Sequence, residues 1–590
     1  MVGDEVEDTA VSDHRFDGSD LAPARSGRRT VRVYFIKPSQ YDGDGYVLCY
    51  RWGIIPNNTL TALAGLTAAY ASANRTVDIQ TVLWDELVDG VVSPAVMRSI
   101  GARGRADRVE VLIGLAGVQT GQYCRARDLA LQFKRLGLPV LIGGFHISGD
   151  EPSRAFLESM GVTVVVGEAE TLWPALLDDY LAGRLRRRYT VTDGLRARTG
   201  LADITVPPIR QAPLPAIDRR YLGRFFNPTM STIDTSRGCP FACSYCAVKN
   251  VMGRTMRARD PEAVVAWIRD AHDRHGVRSL FIVDDDFYRS PTWAPVLHGM
   301  AQLRRGGRDI TFMMQADVEA SSEAELAPGA AETPRRRRSA DFVELAAAAG
   351  CYAVFIGFES FSPANLARTA KVQNQERQDR QAPERDCEAA AARVKQKYRR
   401  AVDAWHRAGV FVHAGYMVGL PFDGKGSGKR AARDLVDIGV DVASFFPYTP
   451  LPGTEDYAAA LAAGALVDRD FNHWDCLHVV NAHPTLSREE VYREYCDAHR
   501  SFYTWRRLAW SLATGHRVPG LGRAARSGAL VQQLYYTYAY RRGWHPMLGG
   551  VWRIRDPGAR REVRWDDEAA ARYLGAAGEG PETTAAHAVG

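Results

Sequence analysis

Two series of short apolar runs, each run separated from the next by a helical pattern, dominate the chain and limit what it can fold into. In the first series the runs lie at residues 31–37, 77–84, 109–116, 140–145 and 162–166, with helix-like stretches such as 59–73, 126–136 and 152–160 between them. Five strand–helix repeats with near-continuous apolar strands predict a doubly wound, Rossmann-like parallel sheet. Ligands on such sheets bind beyond the carboxyl ends of the strands. Gly114, Gly117, Gly143, Gly144, Phe145, His146, Gly167, Glu168 and Glu170 fall at those positions. No G-x-G-x-x-G follows the first run, which argues against a nicotinamide dinucleotide.

The second series has runs at 231–235, 279–283, 310–315, 353–358, 410–416 and 442–446. Between them are helical patterns, the clearest beginning at Asp260 and Pro261, which suit a cap and a first turn. Six βα units predict a partial (β/α)6 barrel of TIM type, with its active site at the strand carboxyl ends. A cysteine triplet, Cys239, Cys243 and Cys246 in C-x3-C-x2-C spacing, follows the first of these runs. With nine cysteines in 590 residues, chance gives that spacing about 0.002 times per chain. Structural zinc asks for a fourth ligand and paired hooks. Iron–sulfur clusters are usually held by four thiolates, so three from one loop leave one iron open to another molecule.

The remaining sequence narrows the class. The composition is 46% hydrophobic and 24% charged, and no apolar run approaches the roughly 20 residues of a membrane span. The formal charge of +6 is scattered, apart from arginine runs at 184–188 and 334–338. Those read as solvated loops, and no nucleic-acid partner or membrane is expected. Residues 1–30 are polar without an apolar h-region, which reads as a disordered leader and not a signal peptide. Thiols that must stay reduced place the protein in the cytoplasm. Residues 183–228, with five prolines at 207–228, read as a linker that drapes over the surface. The segments 321–339 and 373–394 read as surface excursions, and residues from 468 onward as mainly helical with a disordered Ala/Gly-rich end.

The cysteine loop, the six βα units and the five-strand unit ahead of them resemble the cobalamin-binding radical S-adenosylmethionine (SAM) enzymes. The stretches 142–149, with Gly143, Gly144 and His146, and 166–170, with Gly167 and Glu168, are also similar to that family's first domain. The resemblance implies a cobalamin-binding domain at 31–182, a radical SAM barrel at 229–467 and a helical region at 468–590. It implies a [4Fe–4S] cluster on Cys239, Cys243 and Cys246, with SAM chelating the open iron. Reductive cleavage of SAM would then give a 5′-deoxyadenosyl radical, fed by an external one-electron donor such as flavodoxin or ferredoxin. The cofactors carry that chemistry, while the protein supplies placement and exclusion of water. In methylating members, methylcobalamin delivers a methyl group to the substrate radical.

Other site residues follow from the resemblance by position. Phe241 and Tyr245 are placed to pack on the cluster or adenine, with ordinary aromatic packing as the alternative. Asp285 belongs to three adjacent carboxylates, Asp284 to Asp286, which would repel if all were buried and charged. Gln315 and Glu359 end the third and fourth strands. Glu359 is placed to bind ribose hydroxyls or the methionyl amine, unless it forms a plain salt bridge. Gly415 and Gly419 would let backbone approach the adenine. The first domain contributes Gly143, Gly144, Gly167 and Glu168 toward cobalamin. It lacks the D-x-H-x-x-G motif whose histidine binds cobalt, leaving His146 as a candidate for a cobalt contact, with a loop histidine that merely hydrogen-bonds as the alternative. His478 and His483 are placed to line a substrate pocket or to serve structure only. No side chain is assigned as catalytic.

The function implied is methylation of an unactivated carbon on a small molecule or peptide. Radical cyclisation, oxidation or rearrangement without methyl transfer needs the same two domains. A non-catalytic iron–sulfur or corrinoid carrier is the alternative of another class, and it would require a fourth cluster thiolate. RNA modification is disfavoured by the lack of a basic stripe and of a second cysteine triplet.

Overall fold

The computed structural model describes residues 28–191, 208–323, 333–376, 379, 387–475, 477–542, 546 and 549–561. The first 27 residues of the expected leader and the Ala/Gly-rich end lie outside the described residues. The first series forms β1 (Arg29–Lys37), β2 (Cys49–Gly53), β3 (Val77–Asp85), β4 (Glu110–Leu115), β5 (Val140–Gly143), β6 (Thr163–Val166) and β7 (Arg188–Thr190). All but β2 join one sheet in the order β3-β1-β4-β5-β6-β7, with every pair parallel. The winding direction changes between β1 and β4, which opens a crevice at their carboxyl ends.

Six helices cover this sheet: α1 (Asn58–Ala73), α2 (Pro94–Asp107), α3 (Tyr123–Arg135), α4 (Phe145–Gly149), α5 (Glu151–Ser159) and α6 (Ala169–Leu181). Successive residues of β1 alternate between two cores, as the two-residue repeat of a strand requires. Val31, Val33 and Phe35 pack toward α1 and α6, while Tyr34 and Ile36 pack toward α2, α3 and α5. A sheet covered on both faces needs apolar residues on both, hence the near-continuous runs in the sequence.

The stretch expected to drape as a linker is packed. Arg188–Thr190 adds the sixth strand of the sheet, and Ile209, Tyr221, Leu222 and Phe225 are buried. Arg259 Nη1 donates to the carbonyls of Ala212 and Pro213, and Trp267 Nε1 to that of Pro215. The prolines remove donors, and these side chains satisfy the carbonyls that remain. Residues 192–207 of that stretch lie outside the described residues.

The second series forms β8 (Met230–Ile233), β9 (Ser236–Arg237), β10 (Arg257–Ala258), β11 (Ser279–Ile282), β12 (Thr311–Gln315), β13 (Cys351–Glu359), β14 (Phe411–Val418) and β15 (Val442–Pro447). Strands β8, β11, β12, β13, β14 and β15 pair in that order, all parallel, and so build the partial barrel. The helices α7 (Pro261–His275), α8 (Trp293–Arg305), α9 (Pro334–Ala348), α10 (Cys387–Arg407) and α11 (Ser427–Asp437) lie between them in sequence. Asp260 accepts from Ala263 N at the start of α7, with Pro261 in the first turn.

Beyond the barrel come α12 (Arg488–Phe502), α13 (Trp505–Thr514), α14 (Arg523–Arg541) and β16 (Gly550–Ile554). Buried Asp441, just before β15, accepts from His406 Nε2 and His516 Nε2, each at 2.8 Å, and so ties α10 and the turn after α13 to one corner of the barrel. Strand β16 returns to pair antiparallel with β2. Among the described residues no helix is long and apolar enough to cross a membrane.

Candidate active site

The cysteine loop leaves the barrel at the carboxyl end of β8 and is closed at its root by the β9–β10 pair, Ser236 opposite Ala258 and Arg237 opposite Arg257. Asp284, just beyond β11, accepts from Thr235 N at 2.6 Å, Thr235 Oγ1 at 2.7 Å and Ser236 Oγ at 2.6 Å. Gly238 has φ +91°, and a Cβ there would lie 2.4 Å from the Thr255 carbonyl oxygen, so the turn into the loop requires glycine. Within the loop, Cys239 N donates to Gly253 O, Cys246 N to Cys243 O, and Ser244 N to Thr369 O.

Arg237 and Arg257 stand opposite each other, and Arg259 lies two residues on. Three carboxylates offset them. Arg257 makes two 2.7 Å bonds to Glu168, Arg237 meets Glu170 at 2.6 Å and Asp234 at 2.9 Å, and Arg259 meets Asp234 at 2.8 Å. Burial alone would raise the Asp234 carboxyl, but Arg237 and Arg259 outweigh it and hold the group below the usual carboxylate range. Glu168 is the N-cap of α6 and Glu170 lies in its first turn, so the first domain clamps the root of the cysteine loop. Burial pushes Glu168 up, whereas Arg237 outweighs burial at Glu170 and lowers it.

All three triplet cysteines are free thiols, with Cys243 buried and Cys239 and Cys246 half-buried. Burial raises the thiols of Cys239 to about 12 and of Cys246 to about 11, so ionisation there calls for a cationic ligand. Among the described residues no three His, Cys, Asp or Glu side chains surround a single metal-ion position. Thiolates that each bind a separate iron of a cluster need no such convergence. Gln373 Nε2 lies 3.8 Å from Cys243 Sγ, as a donor to sulfur.

Around the loop stand several of the residues singled out in the sequence. Glu359, at the end of β13, has φ +63°, a left-handed conformation that is strained for a residue with a Cβ. Its Oε1 accepts from Lys371 Nζ at 3.0 Å. Burial would lower the Lys371 ammonium, but Tyr245 and Glu359 outweigh it and raise it. Tyr245 packs against Met417, Leu420 and Tyr448, and burial together with Glu359 raises its phenol. The Arg289 guanidinium lies 5.0 Å over the Phe241 ring. Gln315 Nε2 is 3.5 Å from the Asp284 carbonyl oxygen. A Cβ at Gly415 would lie 2.7 Å from the Phe355 ring, and Gly419 has φ +82°.

The three adjacent aspartates separate by environment. Burial lifts Asp284 to about 6 against its hydroxyl and amide donors. Burial and Asp284 lift Asp285 to about 7, and burial and Asp317 lift Asp286 well above the usual range. Asp285 Oδ2 is buried without a hydrogen-bond partner among the described residues. The raised proton affinities of Asp285 and Asp286 lessen the repulsion that the sequence poses.

The remaining residues singled out in the sequence are held by protein contacts. His146 does not reach toward an open ligand position. Its Nε2 pairs with Ser153 Oγ at 3.0 Å, and its ring packs 4.4 Å from Tyr123 and 4.7 Å from Phe471. The space left by Gly143, Gly144 and Gly167 is taken by protein: Val165, Val118 and Val191 come within 3.1 Å of where each Cβ would be. Glu168 faces the Arg257 guanidinium. His483 Nε2 lies 2.9 Å from Leu420 O and His478 pairs with Asp475, both structural contacts. The segment at 373–394 begins as buried wall and not as surface, with Gln373, Asn374 and Gln375 each at most 2% exposed. Ser321, Ser322 and Ser339, at the ends of the other expected excursion, are buried as well, and residues 324–332 between them lie outside the described residues.

Sequence reasoning missed Lys371, Gln373, Arg237 and Arg257, because their meaning lies in partners far along the chain. It also missed Lys37 at the end of β1. Lys37 reaches across the switch crevice to Gly117 O and, at 2.7 Å, to Gln122 Oε1. Burial lowers its ammonium to about 8. A lysine ending an otherwise apolar run was the available signal.

Comparison with known proteins shows what this geometry is similar to. The Radical SAM superfamily pattern matches residues 233–435. Bacteriochlorophyllide d C-8(2)-methyltransferase of Chlorobaculum tepidum is 22% identical over 402 residues, covering 67% of this chain and 78% of that protein. Among solved structures, the radical SAM methyltransferase TsrM from Kitasatospora setae, with cobalamin and a [4Fe–4S] cluster bound, superposes with TM-score 0.52 at 16% identity, covering 75% of this chain and 76% of that one. The cobalamin-dependent SAM radical enzyme OxsB, with aqua-cobalamin and SAM bound, gives 0.56 at 15% identity, covering 87% and 73%. Residues 233–435 thus match the Radical SAM superfamily, and the chain as a whole shares its fold with TsrM and OxsB.

Proposed function

We propose that the protein is a cobalamin-dependent radical SAM methyltransferase acting on an unactivated carbon of a small-molecule substrate. The observation that carries this reading is the cysteine loop, presented at the carboxyl end of the first barrel strand and clamped at its root by Glu168 and Glu170 of the first domain. Cys239, Cys243 and Cys246 would hold the cluster: they are free, lie on one loop, and have thiols whose ionisation a cationic group would favour. When bound, the cluster and SAM supply a 5′-deoxyadenosyl radical, and cobalamin supplies a transferable methyl group. Glu359, Tyr245 and Lys371 stand beside the loop to orient SAM, and Asp285, whose buried Oδ2 has no hydrogen-bond partner among the described residues, follows β11 at the same end of the barrel. Methyl transfer is favoured over other radical outcomes because both the Chlorobaculum relative and TsrM are methyltransferases by name. A flavodoxin or ferredoxin would supply the electron.

The test is anaerobic reconstitution with iron, sulfide and cobalamin, followed by reduction in the presence of SAM. 5′-Deoxyadenosine and S-adenosylhomocysteine should both accumulate. A fully loaded cluster that yields no 5′-deoxyadenosine would overturn the radical reading. 5′-Deoxyadenosine without S-adenosylhomocysteine would overturn methyl transfer.

A further inference from the structure

Strand register places a set of side chains on the inner face of the barrel. Met230 pairs with Ser279, Phe281 with Met313, and Gln315 with Phe355, which pairs in turn with His413. Neighbours in register point to the same side of a sheet, and these residues line one cavity of about 1550 Å³. That exceeds the 300–1,000 Å³ usual for small-molecule pockets. Its other walls are α14, through Ser527, Val531 and Tyr535, and the segment around Trp552 of β16.

The cavity has a direction. Met230, Ser279 and Tyr352 lie where β8, β11 and β13 begin, whereas Gln315 is the last residue of β12 and adjoins Asp284 beneath the cysteine loop. The cavity therefore runs from the amino-end face of the barrel toward the loop. At its mouth Ile55, Phe226, Val531, Leu534, Tyr538 and Trp552 line the cavity and yet are 36–61% exposed. Clustered exposed apolar groups of this kind mark binding surfaces.

The lining also has a chemical character. Among the described residues its lining contains no aspartate or glutamate, and its inner wall is Met230, Phe281, Met313 and Phe355 with three polar residues, Ser279, Gln315 and His413. His413 is fixed by Ser444 Oγ at 2.8 Å and Tyr536 Oη at 3.1 Å. Of the three arginines that line it, Arg553 pairs with Asp42, Arg555 pairs with Asp44 and the Arg542 guanidinium lies 5.7 Å over the Tyr538 ring, so an anionic ligand is not required.

We infer that this cavity is the acceptor-substrate site, entered from the face where the barrel strands begin, and that it takes a large, mainly apolar small molecule. This rests on the reading that the reaction starts at the cysteine loop. A charged peptide or a sugar would leave its polar groups unpaired against Phe281, Met313 and Phe355.

Photolabelling of the full reconstituted chain with benzophenone, an apolar ketone that inserts into C–H bonds, tests the site without turnover. Peptide mapping should find adducts on the segments holding Met230, Met313 and Tyr352. Ser527→Trp and Ala524→Trp, which fill the cavity from α14, should each lower that labelling about tenfold, the effect of roughly 1.4 kcal/mol of lost binding. Adducts confined to exposed Trp505 and Trp510, or cavity adducts unchanged in both variants, would overturn the inference. The same wild-type sample, assayed for 5′-deoxyadenosine, shows separately whether the radical reading stands.

Discussion

Lys371 Nζ sits 3.0 Å from Glu359 Oε1, joining a strained strand end to the turn after the following short helix. Both side chains are about one-seventh exposed, so neither charge can be left to solvent. Lys371→Met should destabilise the protein by roughly 3–5 kcal/mol, because it strands a buried carboxylate. Urea unfolding measures it. A loss below 1 kcal/mol would mean that water replaces the lysine.

Only the triplet should behave as cluster ligands. Alanine at Cys239, Cys243 or Cys246 is expected to remove most of the bound iron and acid-labile sulfide. Alanine at Cys49, Cys124 or Cys351 should leave both near the wild-type level. Cys351 in particular opens β13, at the end of the barrel away from the loop. Colorimetric iron and sulfide assays on reconstituted protein decide the matter, and iron loss in Cys351→Ala would point to a different ligand set.

The clamp from the first domain should be felt at the loop. Arg257→Met leaves Glu168 buried opposite Arg237 alone, at 3.7 Å, and should cost about 3–5 kcal/mol of stability. It should also speed the removal of iron by a chelator, since the β9–β10 root loses its tie to Glu168. Equal rates in wild type and variant would show that the loop is held from within the barrel alone.

Buried His146 predicts an acid sensitivity. Burial lowers its imidazole from 6.5 to about 3, so on acidification the unfolded chain takes up the proton first. The stabilisation from keeping this ring neutral is complete above pH 6.5 and is lost as pH falls from 6.5 toward 3. Between pH 7 and 5 the loss is about 2 kcal/mol from this group. His146→Phe should remove that share of the pH dependence in unfolding experiments at the two pH values.

His146 is the one histidine among the described residues of the first domain, and it faces Ser153. Any cobalamin held there is therefore expected to lack a protein imidazole on cobalt. Electron paramagnetic resonance of the cob(II)alamin form should show the same nitrogen splitting whether the protein carries ¹⁴N- or ¹⁵N-histidine. A change of splitting on labelling would place a histidine on the metal.

Much of the architecture was legible along the chain because its signals are local. Apolar runs of strand length, separated by helical periods, fixed two parallel sheets, and Asp260 with Pro261 marked a helix start that the structure contains. Misreadings arose where polar or proline-rich segments are buried by distant partners. The prolines before Ile217 looked like a draped linker, yet Arg259 and Trp267 cover their carbonyls. Gln373–Gln375 looked like surface, yet Lys397 Nζ donates to the carbonyls of Gln373 and Gln375, each at 2.9 Å, and Gln373 reaches Cys243.

The sequence by itself determined the cysteine spacing, the order of strands and helices, and the placement of the triplet after the first barrel strand, since all of these are relations between near neighbours. Only the tertiary structure decided which charges meet and which space stays open. The pairing of Glu168 with Arg257 spans 89 residues, and the wall of the cavity is gathered from strands, α14 and β16. Electrostatic pairing and enclosed volume depend on distances across the fold, and no local pattern of residue types encodes them.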